Sequence, residues 1–128
     1  MENLQKQQKK HAHRSGIWAE NLFSCWLFIM GYQILARRLR TPVAEIDILA
    51  RHRFRNRACL VVFEVKYRRD LDDALVALRP KQKQRLMRAG LWLQSSGYMK
   101  EGDSMRWDYV AFSKRRWPRH IRNIAMFG

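Results

Sequence analysis

Apolar and polar positions divide the chain into helical and extended stretches. Residues 15–30 are helix material, apolar on nearly every side apart from Glu20, Asn21 and Ser24, with Ser15 as candidate N-cap and Gly31 as the glycine that ends the helix. Such a helix is expected to be largely buried. Residues 32–38 have the content of a first strand, and Thr41-Pro42 marks a turn. In 43–51 the alternation places Ile46, Ile48 and Ala50 on one face and Glu45, Asp47 and Leu49 on the other. A basic hairpin loop at 52–57 leads into the most apolar strand, 58–67, where Leu60, Val62, Glu64 and Lys66 share a face.

Charged residues fill 68–73. A second helix at 80–95 takes Pro80 in its first turn and has an inner stripe of Leu86, Ala89, Gly90 and Leu93. A glycine-containing loop covers 95–103, residues 105–112 alternate as a fourth strand, 113–120 is a basic loop, and 121–126 is suited to a short edge strand. The order predicts an α/β domain with a central mixed sheet flanked by helices. Residues 1–14 are polar and aperiodic, a basic flexible arm or a frayed helical extension, which leaves 15–128 as a single domain.

Charge changes the picture most. With 26 Lys and Arg against 11 Asp and Glu, the 128-residue chain carries +15, which favours a polyanion through counterion release. Nucleic acid is the first candidate, DNA ahead of RNA; an anionic membrane surface, an acidic protein or a ribosomal setting shares the same balance. A 47% apolar content with five Trp and six Phe argues for a packed body. Cys25 and Cys59 lack paired spacing and read as reduced core residues, and the four histidines lack zinc spacing. The apolar run 22–30 follows Glu20-Asn21 and is too short to span a bilayer, so the expected location is cytoplasmic, with no membrane partner.

The candidate chemistry lies at Glu64-Val65-Lys66. If the strand carrying Asp47 pairs with 58–67, two acids and a lysine meet on neighbouring strands. Carboxylates that hold a hard divalent cation, beside an ammonium that orients water or steadies developing charge, suit phosphodiester hydrolysis. The bland alternative is a Glu64–Lys66 salt bridge at a strand end with Asp47 solvated. Glu45 is either an auxiliary ligand or an exposed charge, and Arg106 with Asp108 reads as a structural pair. Lys81, Arg85 and Arg88 form a basic ridge on the second helix, either a solvated face or a phosphate contact. Trp18, Trp26 and Trp92 read as core. In the basic loop, Trp117 can stack on a base while Arg115 and Arg116 hold the backbone.

The ordered segments Gly16-x-x-Ala19-Glu20, Gly31-Tyr32-x-Ile34-Leu35-Ala36-Arg37, Glu45-Ile46-Asp47-Ile48-Leu49-Ala50, Val62-Phe63-Glu64-Val65-Lys66, Lys81-Gln82 and Arg106-Trp107-Asp108-Tyr109-Val110 resemble the YraN-like family of small bacterial proteins. The resemblance covers roughly residues 15 to 112. It implies a restriction-endonuclease-like, three-layer fold of the PD-(D/E)xK superfamily, similar to archaeal Holliday-junction resolvases. Two functions are expected as alternatives: a metal-dependent endonuclease on structured DNA, or a nucleic-acid-binding protein that keeps a nuclease-like scaffold. By that resemblance Asp47, Glu64 and Glu20 hold Mg²⁺ or Mn²⁺ and Lys66 completes the catalytic set; Gln82, one residue after Lys81 at a helix start, is placed to touch a phosphate or the metal-bound water. Junction-cutting enzymes use two symmetric sites, which would call for a homodimer. For catalysis, Glu20, Asp47, Glu64 and Lys66 must converge within one metal's reach in the folded chain.

Overall fold

Apolar alternation produces strands where it is expected, and the ladder between them sets the architecture. The computed structural model describes residues 2–114 and 116–124. Its elements are α1 (Glu2–Ile29), β1 (Tyr32–Arg40), β2 (Glu45–Phe54), β3 (Arg57–Tyr67), α2 (Leu71–Val76), α3 (Pro80–Leu93), β4 (Ser104–Phe112) and β5 (Arg119–Ile121). The five strands form one sheet in the order β1-β2-β3-β4-β5. β3 and β4 are parallel, and every other neighbouring pair is antiparallel. A parallel pair needs a crossover, and α2 with α3 supplies it.

The sheet separates two cores. On one side α3 lays Leu86, Ala89 and Leu93 over Leu60, Val62, Trp107 and Tyr109. On the other, α1 lays Ala19, Phe23 and Leu27 over Ile48, Val61, Phe63, Val110 and Phe112. The result is the three-layer mixed α/β domain expected from the segment order. The predicted stripe of α3 is the buried one, and Gly90 allows the Trp107 indole to lie close against the helix backbone. Trp107 Nε1 donates to the Leu86 carbonyl at 3.1 Å. Gly31 has φ +89°, the left-handed conformation that ends α1.

Several expectations are overturned. α1 begins at Glu2, so Ser15 lies inside the helix rather than at its cap; Glu, Leu, Gln and Lys are all strong helix formers. The helix is also far from buried all round. The Ala19-Phe23-Leu27 row forms its buried apolar face, while Trp18, Leu22, Trp26, Phe28, Ile29 and Met30 are exposed, because among the described residues no further layer covers α1. Trp18, Trp26 and Trp92 therefore do not belong to the core, and Cys25 is exposed, although both cysteines are free.

In β2, Ile48 and Ala50 face the α1 side, whereas Ile46 joins Leu49 on the α3 side. The β2–β3 ladder starts at Ile48↔Phe63; before that point β2 pairs with β1 alone, and the strand rotates out of strict alternation. The short α2 stands in and beyond the stretch read only as charged; Asp72 and Asp73 in its first turn suit the helix dipole. The edge strand is β5, earlier than 121–126, and residues 125–126 lie outside the described residues.

Candidate metal centre

Asp47 leaves β2 just before the ladder to β3 begins, and its carboxylate takes over where backbone pairing stops. Asp47 Oδ2 accepts the Val65 N–H at 2.7 Å. Val65 is the residue between Glu64 and Lys66, so the acid of β2 is held against the Glu-x-Lys segment of β3. Alternation puts Glu64 and Lys66 on one face of β3, and Lys66 Nζ lies 3.0 Å from Glu64 Oε1. From α1, Glu20 is 9% exposed and takes a hydrogen bond from Arg38 Nε at 3.0 Å. Arg38 has φ +50°, unusual for a side-chain-bearing residue and costing roughly 1–3 kcal/mol of local strain. The neighbouring Arg37 donates to Asn21, so β1 is fastened to α1 at two successive residues.

These groups surround a polar cavity of about 260 Å³, walled by Glu20, Arg38, Glu45, Asp47, Lys66 and Tyr67. Glu64 is not on its wall and is tied to it only through the ion pair with Lys66. Acids and cations line the cavity in equal number, Glu20, Glu45 and Asp47 against Arg38, Lys66 and Arg68, so burial leads the electrostatics of Asp47. Burial, reinforced by Glu64 and then Glu20, pushes the Asp47 carboxyl up to about 8, against the opposing pull of the Val65 N–H and Lys66. The influence of Glu64 also reaches Tyr109, whose phenol is raised chiefly by burial. Tyr109 donates to the Ala74 carbonyl.

Glu20, Glu64 and Lys66 all act on the Asp47 carboxyl, but each outer acid has its own cation and the three acids do not converge within one metal's reach. Among the described residues, no three of His, Cys, Asp and Glu stand together as a ready cage for a metal. Hard carboxylate oxygens nevertheless match Mg²⁺ or Mn²⁺, and a cation would relieve the crowding that raises Asp47. Glu45 is exposed on the cavity rim.

The other predicted contacts lie apart. Lys81, Arg85 and Arg88 are exposed on α3, across the sheet from α1. Gln82 is exposed and accepts the Arg79 N–H at 3.5 Å, a capping contact at the start of α3. Arg116 and Trp117 are exposed after β4, and Arg115 lies outside the described residues.

Arg106 and Asp108 do pair, and the pair proves to be the centre of a larger network. Asp108, 0% exposed, accepts two bonds from Arg106 at 2.8 Å, the Asn123 N–H at 2.9 Å, and lies 2.7 Å from His120 Nε2. Burial works against its charge, yet the bonds from His120, Arg106 and Asn123 hold its carboxyl below the usual carboxylate range. Arg106 also donates to the Tyr32 hydroxyl at 3.0 Å, and Tyr32 stacks on His52. The sequence reading missed His120, Tyr32 and Arg38 as partners. Each meets its acid or base across the fold, and no local spacing signals such a meeting.

With this geometry in hand, comparison with known proteins is specific. Residues 19–112 match the model of "Uncharacterised protein family UPF0102", a span that includes Glu20, Asp47, Glu64 and Lys66. A UPF0102 protein of Nitrobacter winogradskyi is 43% identical over 111 residues, 86% of this chain and 90% of the relative. Another, from Parvibaculum lavamentivorans, is 45% identical over 111 residues, 86% of this chain and 80% of the relative. One from Rhodopseudomonas palustris is 41% identical over 118 residues, 91% of this chain and 85% of the relative. A matched span that holds the whole Asp47 cluster, with relatives similar along nearly all of their length, means that the chain belongs to the UPF0102, or YraN, family.

Proposed function

We propose that the protein is a metal-dependent endonuclease that hydrolyses phosphodiester bonds in structured DNA. The observation that carries this reading is the Asp47 carboxylate held at 2.7 Å on the Val65 N–H, between Glu64 and Lys66, whose own charges lie 3.0 Å apart. Asp47 and Glu64 would hold Mg²⁺ or Mn²⁺, with Glu20 contributing directly or through a water. When bound, such a cation supplies Lewis-acid polarisation of the phosphate and a water of lowered pKa. Lys66 orients the attacking water or steadies the charge that builds on the phosphorus oxygens. The Val65 N–H fixes the carboxylate of Asp47. The +15 charge supplies the attraction to a phosphate backbone, with the α3 ridge and the loop after β4 as further contact points. A homodimer and a cytoplasmic location accompany this reading.

A second reading has its own observation. Arg38 neutralises Glu20 and Lys66 neutralises Glu64, an arrangement that suits a nucleic-acid-binding protein on a nuclease-like scaffold. The two are separated by incubating the pure protein with labelled duplex, single-stranded, flap and four-way-junction DNA, and with RNA, in Mg²⁺, Mn²⁺ or EDTA. Metal-dependent cutting that disappears in Asp47→Ala and Lys66→Ala establishes the nuclease. Salt-sensitive binding that both substitutions spare, with no substrate cut, establishes the scaffold.

A further inference from the structure

The apolar surface that α1 leaves uncovered is not randomly placed. Trp18, Leu22 and Trp26 recur at four-residue steps and so form one stripe along the helix. At its far end Trp26 meets Trp117 edge to face, ring centroids 6.2 Å apart, in an apolar cleft of about 300 Å³ that Phe112 and Pro118 also line. The contact leaves Trp117 78% exposed, so most of its indole stays open to solvent. Lys114, Arg116 and Arg119, all exposed, flank Trp117 in sequence.

The cleft adjoins the metal centre. Tyr67, on the wall of the polar cavity, is the register partner of Phe112, on the wall of the apolar cleft, so one rung of the β3–β4 ladder joins the two walls. Trp18 packs edge to face on the same Tyr67, with centroids 6.4 Å apart. An apolar track with aromatic ends, Leu22 lying between them, therefore runs from Tyr67 through Trp18 and along α1 to Trp26 and Trp117.

We propose that Trp117, buttressed by Trp26, is a stacking platform for an unpaired nucleobase of the strand whose phosphate lies at the Asp47 centre. This rests on the nuclease reading for the position of the phosphate, and it adds the feature recognised, a single-stranded or splayed nucleotide next to the cut. Charge selects the occupant. Three cations within three residues of an open indole along the chain match a nucleotide, whose base stacks while its phosphates pair. A second copy of the chain is the opposite case: in a two-fold interface the patch meets itself, setting Lys114, Arg116 and Arg119 against their own counterparts.

The test is binding in EDTA, where cleavage does not intervene. Fluorescein-labelled single-stranded DNA, a duplex with a single-stranded flap, and a fully paired duplex of the same sequence are titrated by anisotropy with wild type, Trp117→Ala and Trp117→Phe. Trp117→Ala is expected to weaken binding of the single strand and the flap by about 5- to 150-fold, with duplex binding changed less than about twofold. Trp117→Phe, which keeps a π face, restores most of the loss. Equal loss on all three DNAs, or no loss on any, overturns the platform. So does a concentration-dependent dimer in sedimentation that Trp117→Ala abolishes, which would assign the patch to a second copy. Because Asp47→Ala is assayed for cutting and Trp117→Ala for metal-free binding, the two readings fail separately. A protein that binds through Trp117 but cuts nothing loses only the nuclease, and one that cuts without needing Trp117 loses only the platform.

Discussion

Asp47 and Val65 are joined by a 2.7 Å hydrogen bond in which a side-chain carboxylate receives the strand N–H that lies between Glu64 and Lys66. The bond stands just beyond the first rung of the β2–β3 ladder, so the acid both continues the pairing and anchors the centre. Structural and chemical roles coincide in one side chain.

Substitution separates those roles. Asp47→Asn keeps an acceptor for Val65 and removes the charge, whereas Asp47→Ala removes both. The folded carboxyl is raised to about 8, so its protonated form contributes stability that is full below the ordinary carboxylate range and is lost as pH rises through 8. In metal-free thermal melts, Asp47→Asn should therefore gain on wild type as pH rises from the ordinary carboxylate range to about 8, and keep a constant lead above it. Asp47→Ala should lie below Asp47→Asn by about 1–3 kcal/mol at every pH, the cost of leaving a buried N–H unpaired. Parallel curves for wild type and Asp47→Asn would refute the raised carboxyl.

A divalent cation should compete with that proton. Below pH 8 Asp47 is largely protonated, so binding of Mg²⁺ or Mn²⁺ releases up to one proton and tightens by as much as about tenfold per pH unit, levelling above 8. Calorimetry in two buffers of different ionisation enthalpy measures the release directly. Binding that is independent of pH between about 6 and 8 would place the cation elsewhere.

Asp108 tests the opposite sign. Its carboxyl is held below the ordinary range, so its contribution is present above the unfolded value and is lost as pH falls through the folded one. Asp108→Ala leaves Arg106 half-buried without its anion and should cost about 3–5 kcal/mol at neutral pH, measured by urea unfolding. The acid-side fall of the wild type, below about pH 4, should be diminished in Asp108→Asn.

Gly90 is a packing prediction. A Cβ built there would stand 2.7 Å from Trp107 Cε2 and 2.8 Å from its Cζ2, and the indole is fixed by its bond to the Leu86 carbonyl. Alanine is the better helix former by about 0.8–1.0 kcal/mol, yet overpacking costs about 1–3 kcal/mol, so Gly90→Ala should be net destabilising. An increase in melting temperature would show that α3 can retreat from Trp107.

Local periodicity made a large part of this legible. The strand of 58–67 was visible because side chains alternate wherever a ladder holds the backbone extended, and the inner stripe of α3 because helical spacing fixes one face. The shared face of Glu64 and Lys66 follows from the same rule, and their ion pair confirms it. Periodicity failed where the ladder failed: Ile46 and Ile48 parted company at the residue pair flanking Asp47. It failed again on α1, where an apolar sequence was taken for a buried helix.

The chain's own order of residues determined its elements, its charge and the Glu-x-Lys pair, because each depends on neighbours within a few positions. Tertiary packing alone decided that Arg38 sits on Glu20 eighteen residues away, that His120 reaches Asp108 across twelve, and that one face of α1 stays open. Burial and charge pairing depend on which surfaces the sheet brings together and how many layers cover them. Those are properties of the closed fold, and spacing along a strand or a helix does not carry them.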